Sequence, residues 1–542
     1  MLQMPSRKSA GTVKAGKRAS LKKAPVERKP PATPAHDLLA DPLLGVALQG
    51  GAREWLDLPG VLEALGKDEI EGFSALQAHQ QHAWHAFLVQ LAAIALHRAE
   101  ERSPRLKAAR WRELLAALTK GRHEPWTLVV PDLPRPAFLQ PPVLDGTLDG
   151  FKARLARSDE LDLLVTSKNH DVKAARAANA RPEHWVYALV SLQTMQGFSG
   201  RSNYGIARMN GGAGSRPGLG LAPGHALGAR FRRDTAAALE ARDAIRGPRG
   251  YKARGGIALL WLEPWDGKSA LTPGDLDPLF IEICRRVRLD LVDGMIGAHT
   301  VGSANARIDA GDLRGNTGDP WTPVQKAESK PYTATEAGFS YRVLHRLLGD
   351  DYQPGVAQVP RRGDSEVEIV ATVLARGMGK TAGFHERRVP VPGDLLPWLA
   401  DAGRRALLGA FAGQRVQLAA DVQRHVLKPA VLAYLQGAPD ELNFKDRRAG
   451  AWLEAHDAEV DRIFFERLWA DLSRDAERAL AEWARTVLDL ARAQLQSAFE
   501  DAPVPIARRY RAIAAAERVF EGAARKHVKL AFDPEKEQRH EA

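Results

Sequence analysis

The C-terminal third of this 542-residue chain constrains its fold most strongly, because it is a succession of long helical patterns. Apolar residues recur at helical spacing, with few interior glycines or prolines, over residues 395–412, 414–436, 450–473, 475–499 and 505–529. Such segments bury their apolar faces by packing as an antiparallel bundle. Residues 400–542 hold 23 Lys and Arg against 23 Asp and Glu, a balance that favours a docking or structural role over catalysis.

The preceding region mixes short strand patterns, helices and long loops. Residues 38–62 predict a strand, a turn, a second strand and a helix start. Further helices are predicted at 75–99, 105–119, 171–179, 183–196, 233–244 and 275–288, and strands at 126–130 and near 161–165, 257–263 and 366–375. We therefore expect an α+β protein: a large mixed α/β N-terminal domain over residues 37–390, followed by a C-terminal antiparallel bundle of four to five helices over 391–535.

The net charge of +11 is concentrated near the N-terminus. Residues 1–35 carry nine Lys and Arg against the single acid Glu27, which accounts for +8 of the total. This segment is rich in Pro, Ala and Ser and lacks apolar periodicity, so residues 1–36 are predicted to be a basic disordered tail. Two interpretations remain open: an arm that attracts phosphate, or a poorly ordered extension without that role.

Composition excludes several classes of protein. The single cysteine, Cys284, rules out an internal disulfide framework and a multi-cysteine zinc site, and it is expected to be an inert core thiol. The chain has no uncharged apolar run approaching the roughly 18 residues that suggest a membrane span. We therefore expect a cytoplasmic protein without membrane association.

Catalytic motifs are missing or incomplete. Gly377–Gly383 contains Gly-Lys-Thr, but Leu374 stands where a phosphate-binding loop needs its first glycine. The segment is interpreted as a small basic turn after a strand. His79, His82 and His85 recur at three-residue spacing, and we interpret them as solvated or capping histidines rather than metal ligands. The sequence favours a binding protein, with no catalytic residue, no metal and no cofactor.

The segment Gly197–Gly220 holds eight glycines, three arginines and no acid in 24 positions. Glycine lets the backbone approach a ligand closely, and the arginine fork fits phosphate oxygens or base edges. The segment is therefore predicted to be an anion-contact surface. Two more loops have suitable chemistry for nucleic acid: Thr166–Asp171, with hydroxyls, an ammonium and an amide, and Ser303–Trp321, with two arginines. Each taken alone also fits a capped turn with solvated charge.

At these same segments the chain resembles the CasA family, the large subunits of type I-E CRISPR Cascade complexes. The resemblance runs through about residues 38–530 and rests on the order of motifs along the chain. The matching text is HAWHAFLVQLAAIALHRA (82–99), RPAFLQPP (135–142), LDLLVTSKNHDVK (161–173), LQTMQGFSGRSNYGIARMNGG (192–212), LLWLEPWDG (259–267), GNTGDPWTPV (315–324) and ERRVPVPG (386–393).

The resemblance implies a mixed α/β domain followed by a four-helix bundle, with no nuclease active site. It implies recognition of the protospacer-adjacent motif, a short sequence in the duplex DNA target, largely from the minor-groove side. The family then promotes opening of the duplex for pairing with CRISPR RNA and recruits a helicase–nuclease. The implied partners are duplex DNA, CRISPR RNA within the complex, the other Cascade subunits and the helicase–nuclease.

The resemblance also implies DNA-binding residues by position. The family's glycine loop falls on Gly197, Phe198, Ser199 and Gly200, and its first loop, which reaches the motif and the rest of the complex, falls on Thr166, Lys168 and Asn169. The basic finger that reads the groove matches Arg307, with Arg314 as the alternative.

One family loop inserts beside the motif and wedges a glutamine under the first base pair. Its tip matches Lys380, Thr381 and Ala382. This is a departure from the family pattern, because threonine is shorter than glutamine and lysine adds charge. We therefore expect a different motif preference and leave the wedge itself unassigned.

Two alternatives to the motif-reading subunit remain. The first is a stand-alone enzyme acting on nucleic acid, either a nuclease or an NTPase. The second is a purely structural scaffold whose loops contact other proteins. Cleavage of DNA or hydrolysis of ATP by the isolated chain would distinguish the enzyme, and unchanged DNA affinity after loop substitutions would distinguish the scaffold.

Overall fold

The structure is a computed structural model that describes residues 33–152, 154–162, 180–377, 380–437 and 441–532. Its helices are α1 (Leu58–Lys67), α2 (Gln81–Arg98), α3 (Ala108–Leu118), α4 (Asp159–Asp162), α5 (Pro182–Met195), α6 (Leu227–Arg246), α7 (Tyr341–Leu348), α8 (Leu396–Ala400), α9 (Ala402–Asp421), α10 (Lys428–Gln436), α11 (Gly450–Asp471), α12 (Ala476–Asp501) and α13 (Ile506–His527). The predicted α+β class is confirmed, with long helices towards the C-terminus.

The strands form several small sheets. They are β1 (Ala35–Asp37), β2 (Leu44–Leu48), β3 (Arg53–Leu56), β4 (Ile70–Phe73), β5 (Thr127–Val129), β6 (Gly218–Ala222), β7 (Ile257–Leu259), β8 (Leu276–Ile281), β9 (Arg286–Val292), β10 (Met295–Val301), β11 (Val324–Gln325), β12 (Lys330–Pro331), β13 (Tyr352–Gln353), β14 (Val367–Gly377) and β15 (Lys380–Val391). The sheet orders are β1-β5, β3-β2-β4, β7-β8, β10-β9, β12-β11-β13 and β15-β14-β6. All of these pairings are antiparallel except β7 with β8.

Helix α2 organises the first hydrophobic core. Its sequence is apolar nearly all round, and every residue from Ala86 to Leu96 is buried. A helix that is apolar on all faces is stable only when surrounded by other elements. Helices α5 and α6 and strand β8 pack around it, and its Gln90 side chain donates to the carbonyls of Leu279 and Phe280. The core of the N-terminal region therefore forms around one central helix.

Long helices fill the C-terminal region as predicted, but the break predicted between residues 412 and 414 is wrong, because α9 runs through Gly413 without interruption. A π-turn, Val422–Leu427, joins α9 to α10, and Pro429 follows directly in the first turn of α10. Proline lacks a backbone N–H and its ring crowds the carbonyl four residues earlier, so the regular α-helical ladder is interrupted here. Each of the long helices α9 to α13 contributes buried side chains to the second hydrophobic core.

This second core continues across the predicted boundary at residue 391. It includes Val389 and Ile369 of the β14–β15 hairpin and Tyr341 of α7, whose ring centroid lies 4.9 Å from that of Phe464. The Trp469 indole donates to the carbonyl of Pro390 at 3.0 Å. The hairpin and α7 therefore share one hydrophobic core with the C-terminal helices.

Several local predictions need correction. The helix predicted at 275–288 is wrong: this stretch forms strands β8 and β9, because a short continuous apolar run fits a buried strand as well as a helix. Of the strand expected near 161–165, residues 161 and 162 are helical and belong to α4, and the rest lies outside the described residues. The helix expected at 171–179 also lies outside them. Ala35 and His36, expected in the tail, belong to β1. In the described ranges no helix is long and apolar enough to cross a membrane.

Candidate functional site

The Gly/Arg stretch folds back on itself so that three of its backbone segments touch. A Cβ on Gly205 would lie 2.3 Å from the carbonyl carbon of Gly197, and one on Gly197 would lie 2.1 Å from the oxygen of Gly214. The Phe198 N–H also donates to the carbonyl of Gly212 at 2.8 Å. These glycines are required by close packing of backbone on backbone, which no side chain would permit.

The Arg285 guanidinium stabilises this folded stretch through hydrogen bonds. Its Nη2 donates to the Gly197 carbonyl and to Ser199 Oγ, both at 3.1 Å, and its Nη1 donates to the carbonyl of Tyr204. Of the four residues of the predicted glycine loop, Gly197 is buried, Phe198 and Gly200 are half-buried, and Ser199 is exposed. The loop is therefore a short exposed turn on a rigid support.

Two of the three arginines in the stretch are structural. Arg216 forms a bidentate ion pair with Asp319 at 2.6 and 2.7 Å, and Arg208 pairs with Glu282. All four side chains are buried. Burial alone would raise the pKa of Asp319, but the charge and hydrogen bonds of Arg216 outweigh it and lower the pKa. The anion-contact prediction for the whole stretch is therefore too broad, and Arg201 is the arginine that remains exposed.

The structure separates the two candidates for the basic finger. Arg307 is buried at 3% exposure, where its guanidinium donates to the carbonyls of Glu263 and Pro264 and lies 5.6 Å from the Trp265 ring. Burial lowers the pKa of Arg307 to about 10. A side chain held in this way cannot reach into a DNA groove, so the first choice for the finger does not fit this conformation.

Arg314 is the exposed alternative. It follows a short 3₁₀ turn, Gly311–Leu313, and adopts a left-handed backbone conformation with φ of 49°. Its neighbour Gly315 packs against the backbone of the glycine-rich stretch, since a Cβ there would lie 2.8 Å from the Arg208 carbonyl oxygen. The loop that carries Arg314 therefore packs against the glycine-rich stretch at Arg208.

Of the Gly377–Gly383 segment, the structure describes residues 377 and 380–383, which belong to a long β-hairpin. Strand β14 runs into it and β15 leaves it, with Gly377 paired to Lys380 and a register shift between Ala375 and Arg376. The expectation that no helix follows the Gly-Lys-Thr sequence is confirmed, since a strand runs from Lys380 to Val391. The backbones of Lys380, Thr381 and Ala382 form the start of β15.

Two of the predicted segments meet beside one small internal cavity. Met195 and Gln196, which lead into the glycine loop, line it together with Leu374 and Phe384 near the hairpin tip. The Gln196 side chain donates to the carbonyl of Asp162 at 3.3 Å. Residues 163–179, which contain the predicted Thr166, Lys168 and Asn169, lie outside the described residues.

The three histidines of the α2 region are not solvated, contrary to expectation. His79 and His85 contact Asp162 and Asp234 at 2.9 and 2.8 Å. His82 is buried, and its ring nitrogens have no hydrogen-bond partner in the part of the chain that the structure describes. Burial is the main cause that lowers the pKa of His82 well below the usual value, and nearby arginines lower it further. Within the same ranges, no group of three or more His, Cys, Asp or Glu side chains could hold a metal ion.

Sequence reasoning missed the acids and the arginine that organise the site. Asp319, Glu282 and Arg285 lie between 74 and 103 positions from the residues that they hold, and nothing in their local sequence marks them. One indirect signal existed: an acid-free stretch with three arginines needs carboxylates from elsewhere if any of those arginines is buried.

Solved structures share this architecture over almost the whole chain. Cse1, a CRISPR-associated protein from Acidimicrobium ferrooxidans, has a TM-score of 0.62 at 18% identity, covering 91% of this chain and 99% of its own. The chain has the Cse1/CasA fold. CasA from Thermus thermophilus has a TM-score of 0.57 at 14% identity, covering 91% of this chain and 99% of its own.

A chain of a structure described as a CRISPR RNA-guided surveillance complex also has this fold, with a TM-score of 0.55 at 14% identity, covering 90% of this chain and 99% of that chain. No family model matches the sequence, and no curated protein matches it. The Cse1/CasA fold is therefore retained at low sequence identity, and it agrees with the resemblance read from the motifs.

Proposed function

We propose that this chain is the large subunit of a type I-E CRISPR RNA-guided surveillance complex and that it reads the protospacer-adjacent motif in duplex DNA. The observation that carries the proposal is the Cse1/CasA fold over about nine-tenths of the chain, with nearly the full length of each solved structure covered. The chain has no catalytic role in this proposal. It promotes opening of the duplex, and its C-terminal helices help to recruit the helicase–nuclease.

The proposed reading surface comprises the exposed turn Phe198–Gly200, Arg314 and the hairpin tip at Lys380–Ala382. The inclusion of both the turn and Arg314 in one surface is supported by packing of the loop around Gly315 on the glycine-rich stretch. The hairpin approaches the same region through the small cavity shared by Gln196 and Phe384. Thr166, Lys168 and Asn169 are proposed to complete the surface, since α4, which precedes them in the sequence, ends at Asp162 in contact with Gln196.

Arg314 is proposed as the basic finger because it is exposed and its backbone is fixed between two packed loops. The minor groove presents a degenerate pattern in which A·T and T·A look alike, so a reader of this kind accepts several related motifs. Base pairing with the guide supplies the remaining specificity, as in other RNA-guided systems. Thr381 is too short to repeat a glutamine wedge, and the sequence read is therefore expected to differ from that of the family.

The deciding experiment measures binding of the assembled complex to guide-matched duplexes whose adjacent bases are randomised. We expect a preferred set of motifs for the wild-type chain. Arg314→Ala is expected to weaken binding to preferred motifs by about tenfold, as for loss of one base-edge contact. Arg447→Ala, which removes an equally exposed arginine from the C-terminal region, is the matched control and should leave motif preference intact.

Two results would contradict the proposal. A complex that binds every flanking sequence equally well would rule out motif reading by this chain. Cleavage of duplex DNA with Mg²⁺, or ATP hydrolysis, by the isolated protein would favour the stand-alone enzyme instead. Arg307→Ala provides an internal check: because Arg307 is buried, its loss is expected to lower the thermal unfolding midpoint rather than to change motif preference.

A further inference from the structure

A shallow depression in the N-terminal region is lined by an unusual number of arginines. Three separate segments form it: the loop after α2, the first half of α6 and the turn before β14. The lining arginines are Arg102, Arg105, Arg232, Arg233, Arg361 and Arg362, and the one acid in the lining is Asp364. None of these residues belongs to the proposed reading surface.

Three of these arginines maintain the fold. Arg233 is buried and forms an ion pair with Asp364 at 3.0 Å, and the Arg361 side chain donates to Glu240 at 2.6 Å. Arg232 donates to the carbonyls at the C-terminal end of α1. These contacts join α6 to the turn before β14 and to α1, and they use the one acid of the depression. The loop after α2 packs on α1 in turn, since a Cβ on Gly66 would lie 2.8 Å from the Pro104 carbonyl oxygen.

The other three arginines are uncompensated. Arg102, Arg105 and Arg362 are exposed, and their side chains form no hydrogen bond or ion pair with any residue that the structure describes. Three guanidinium groups on a fixed support, with the only nearby lining acid already paired, form a concentrated positive site. The arginine fork matches phosphate oxygens in both geometry and charge.

We propose that Arg102, Arg105 and Arg362 bind the phosphate backbone of a nucleic acid strand. The strand is either the DNA target or the RNA guide, since both present the same phosphodiester chemistry. The contact carries no sequence information, because phosphates are identical along the backbone. The contact adds affinity and orients the bound strand. This proposal rests on the proposed function only for the identity of the nucleic acid.

The depression lies far from the reading surface. Arg362 precedes β14, and the hairpin tip lies at the far end of this eleven-residue strand, which spans roughly 35 Å at the usual rise per residue. That length is about one turn of B-form DNA. A single duplex that occupied both places would therefore need to extend at least one helical turn from the motif.

The test compares the salt dependence of nucleic acid binding by the full-length chain. The triple variant Arg102→Gln, Arg105→Gln, Arg362→Gln is titrated by fluorescence anisotropy with a motif-free duplex of about three helical turns. Each lost phosphate contact makes the negative slope of log K against log salt shallower by about 0.9. The magnitude of the slope should therefore decrease by about 2.7 in the triple variant. Its unfolding midpoint should match that of the wild type, since all three side chains are exposed.

The matched control is Arg447→Gln, Arg511→Gln, Arg525→Gln, which removes the same charge from exposed arginines of the C-terminal region. It should leave the slope unchanged. The same titration with single-stranded RNA identifies the source of the phosphates. If the magnitude of the salt slope decreases by about 2 with RNA and is unchanged with the duplex, the site is assigned to the guide. Wild-type slopes with both nucleic acids, or equal losses in the control, overturn the proposal. Motif preference depends on Arg314 instead, so failure of the proposed function is recognised separately.

Discussion

The ion pair between Arg216 and Asp319 joins two loops that are distant in sequence. One partner belongs to the glycine-rich stretch and the other to the loop that carries Arg314. Asp319 also accepts from Thr322 Oγ1 at 2.7 Å, so its carboxylate is held from both sides. A buried charge that loses its partner remains uncompensated in a medium of low polarity, which is strongly destabilising. Single substitutions here should therefore affect the support of the reading surface rather than the surface itself.

The first prediction concerns Asp319→Asn. The substitution leaves Arg216 buried without its bidentate carboxylate, and we expect a loss of about 3–5 kcal/mol in the free energy of unfolding. Urea unfolding at neutral pH measures it. Glu328→Gln, which breaks the exposed ion pair with Lys330, is the control and should leave the midpoint unchanged. Equal midpoints for the two variants would contradict a structural role for Asp319.

The lowered pKa of Asp319 gives this contribution a defined pH dependence. A carboxyl group whose pKa is lower in the folded than in the unfolded chain stabilises the fold above the unfolded pKa, which is about 3.9 for Asp. The contribution disappears as the pH falls through the folded pKa. The difference in unfolding free energy between wild type and Asp319→Asn should therefore be constant near neutrality and decrease below about pH 4. A difference that grows on acidification would show that the pKa is not lowered.

The second prediction compares two glycines. Gly205→Ala places a methyl group 2.3 Å from the backbone of Gly197, so overpacking should cost about 1–3 kcal/mol and weaken motif binding together with stability. Gly522→Ala lies on the exposed face of α13 with nothing within 4 Å, and it should stabilise by about 0.5–1 kcal/mol. Thermal unfolding of both variants tests the pair. An unchanged midpoint for Gly205→Ala would contradict the close packing.

At the scale of secondary-structure elements, the long periodic segments could be predicted and the short apolar ones could not. Helix α2 and the C-terminal helices carry their pattern over many residues, so their existence follows from sequence. The stretch 275–288 contains an apolar run that is too short for its periodicity to distinguish a buried strand from a helix, and Pro278 within it already argued against a helix interior.

The β14–β15 hairpin gives the third prediction. Replacing residues 376–382 with Asn-Gly joins the paired residues Ala375 and Gly383 by a two-residue turn that suits a hairpin. The shortened hairpin retains the buried residues Val373 and Val389, so we expect an unfolding midpoint close to that of the wild type. Motif preference of the assembled complex should be lost, as measured with the randomised duplexes. Retained preference would place motif reading elsewhere.

At the scale of the whole molecule, the two cores do not coincide with the predicted domains. In the described residues the last strand ends at Val391 and only helical elements follow, but the second core extends back into the hairpin and α7. Arg387 pairs with Asp461, and Arg342 pairs with Asp457, which ties both elements to α11. Sequence periodicity detects a change of element type, whereas shared burial between distant segments is visible only in three dimensions.

The fourth prediction follows from that shared core. A fragment of residues 391–532 lacks the hairpin and α7, so it should expose their apolar partners, including Phe464, and unfold at a lower urea concentration than a fragment of residues 332–532. The longer fragment should also show a steeper transition, because it buries more surface. Coincident unfolding curves would instead support an independent bundle that begins at residue 391.

The candidate site was only partly predictable for the same reason. Residue types indicated a contact surface over the broad stretches 197–220 and 303–321, and the family resemblance narrowed the candidates to residues 197–200 and to Arg307 or Arg314. Sequence could not distinguish Arg307 from Arg314, since both are arginines on one loop. Burial against Trp265 and the carbonyls of Glu263 and Pro264 separates them. Burial of this kind depends on elements that meet only after folding.

The packing of the Arg314 loop on the glycine-rich stretch has a consequence for engineering the proposed motif preference. Because Arg216 and Asp319 lie on different segments, either segment transplanted alone would leave a buried charge without its counterpart. Residues 196–216 and 303–322 should therefore be exchanged between homologous proteins as a single cassette, together with Arg285 beneath them. Libraries that diversify only the exposed positions of both segments, with this internal frame kept constant, offer the more tractable route to new motif preferences.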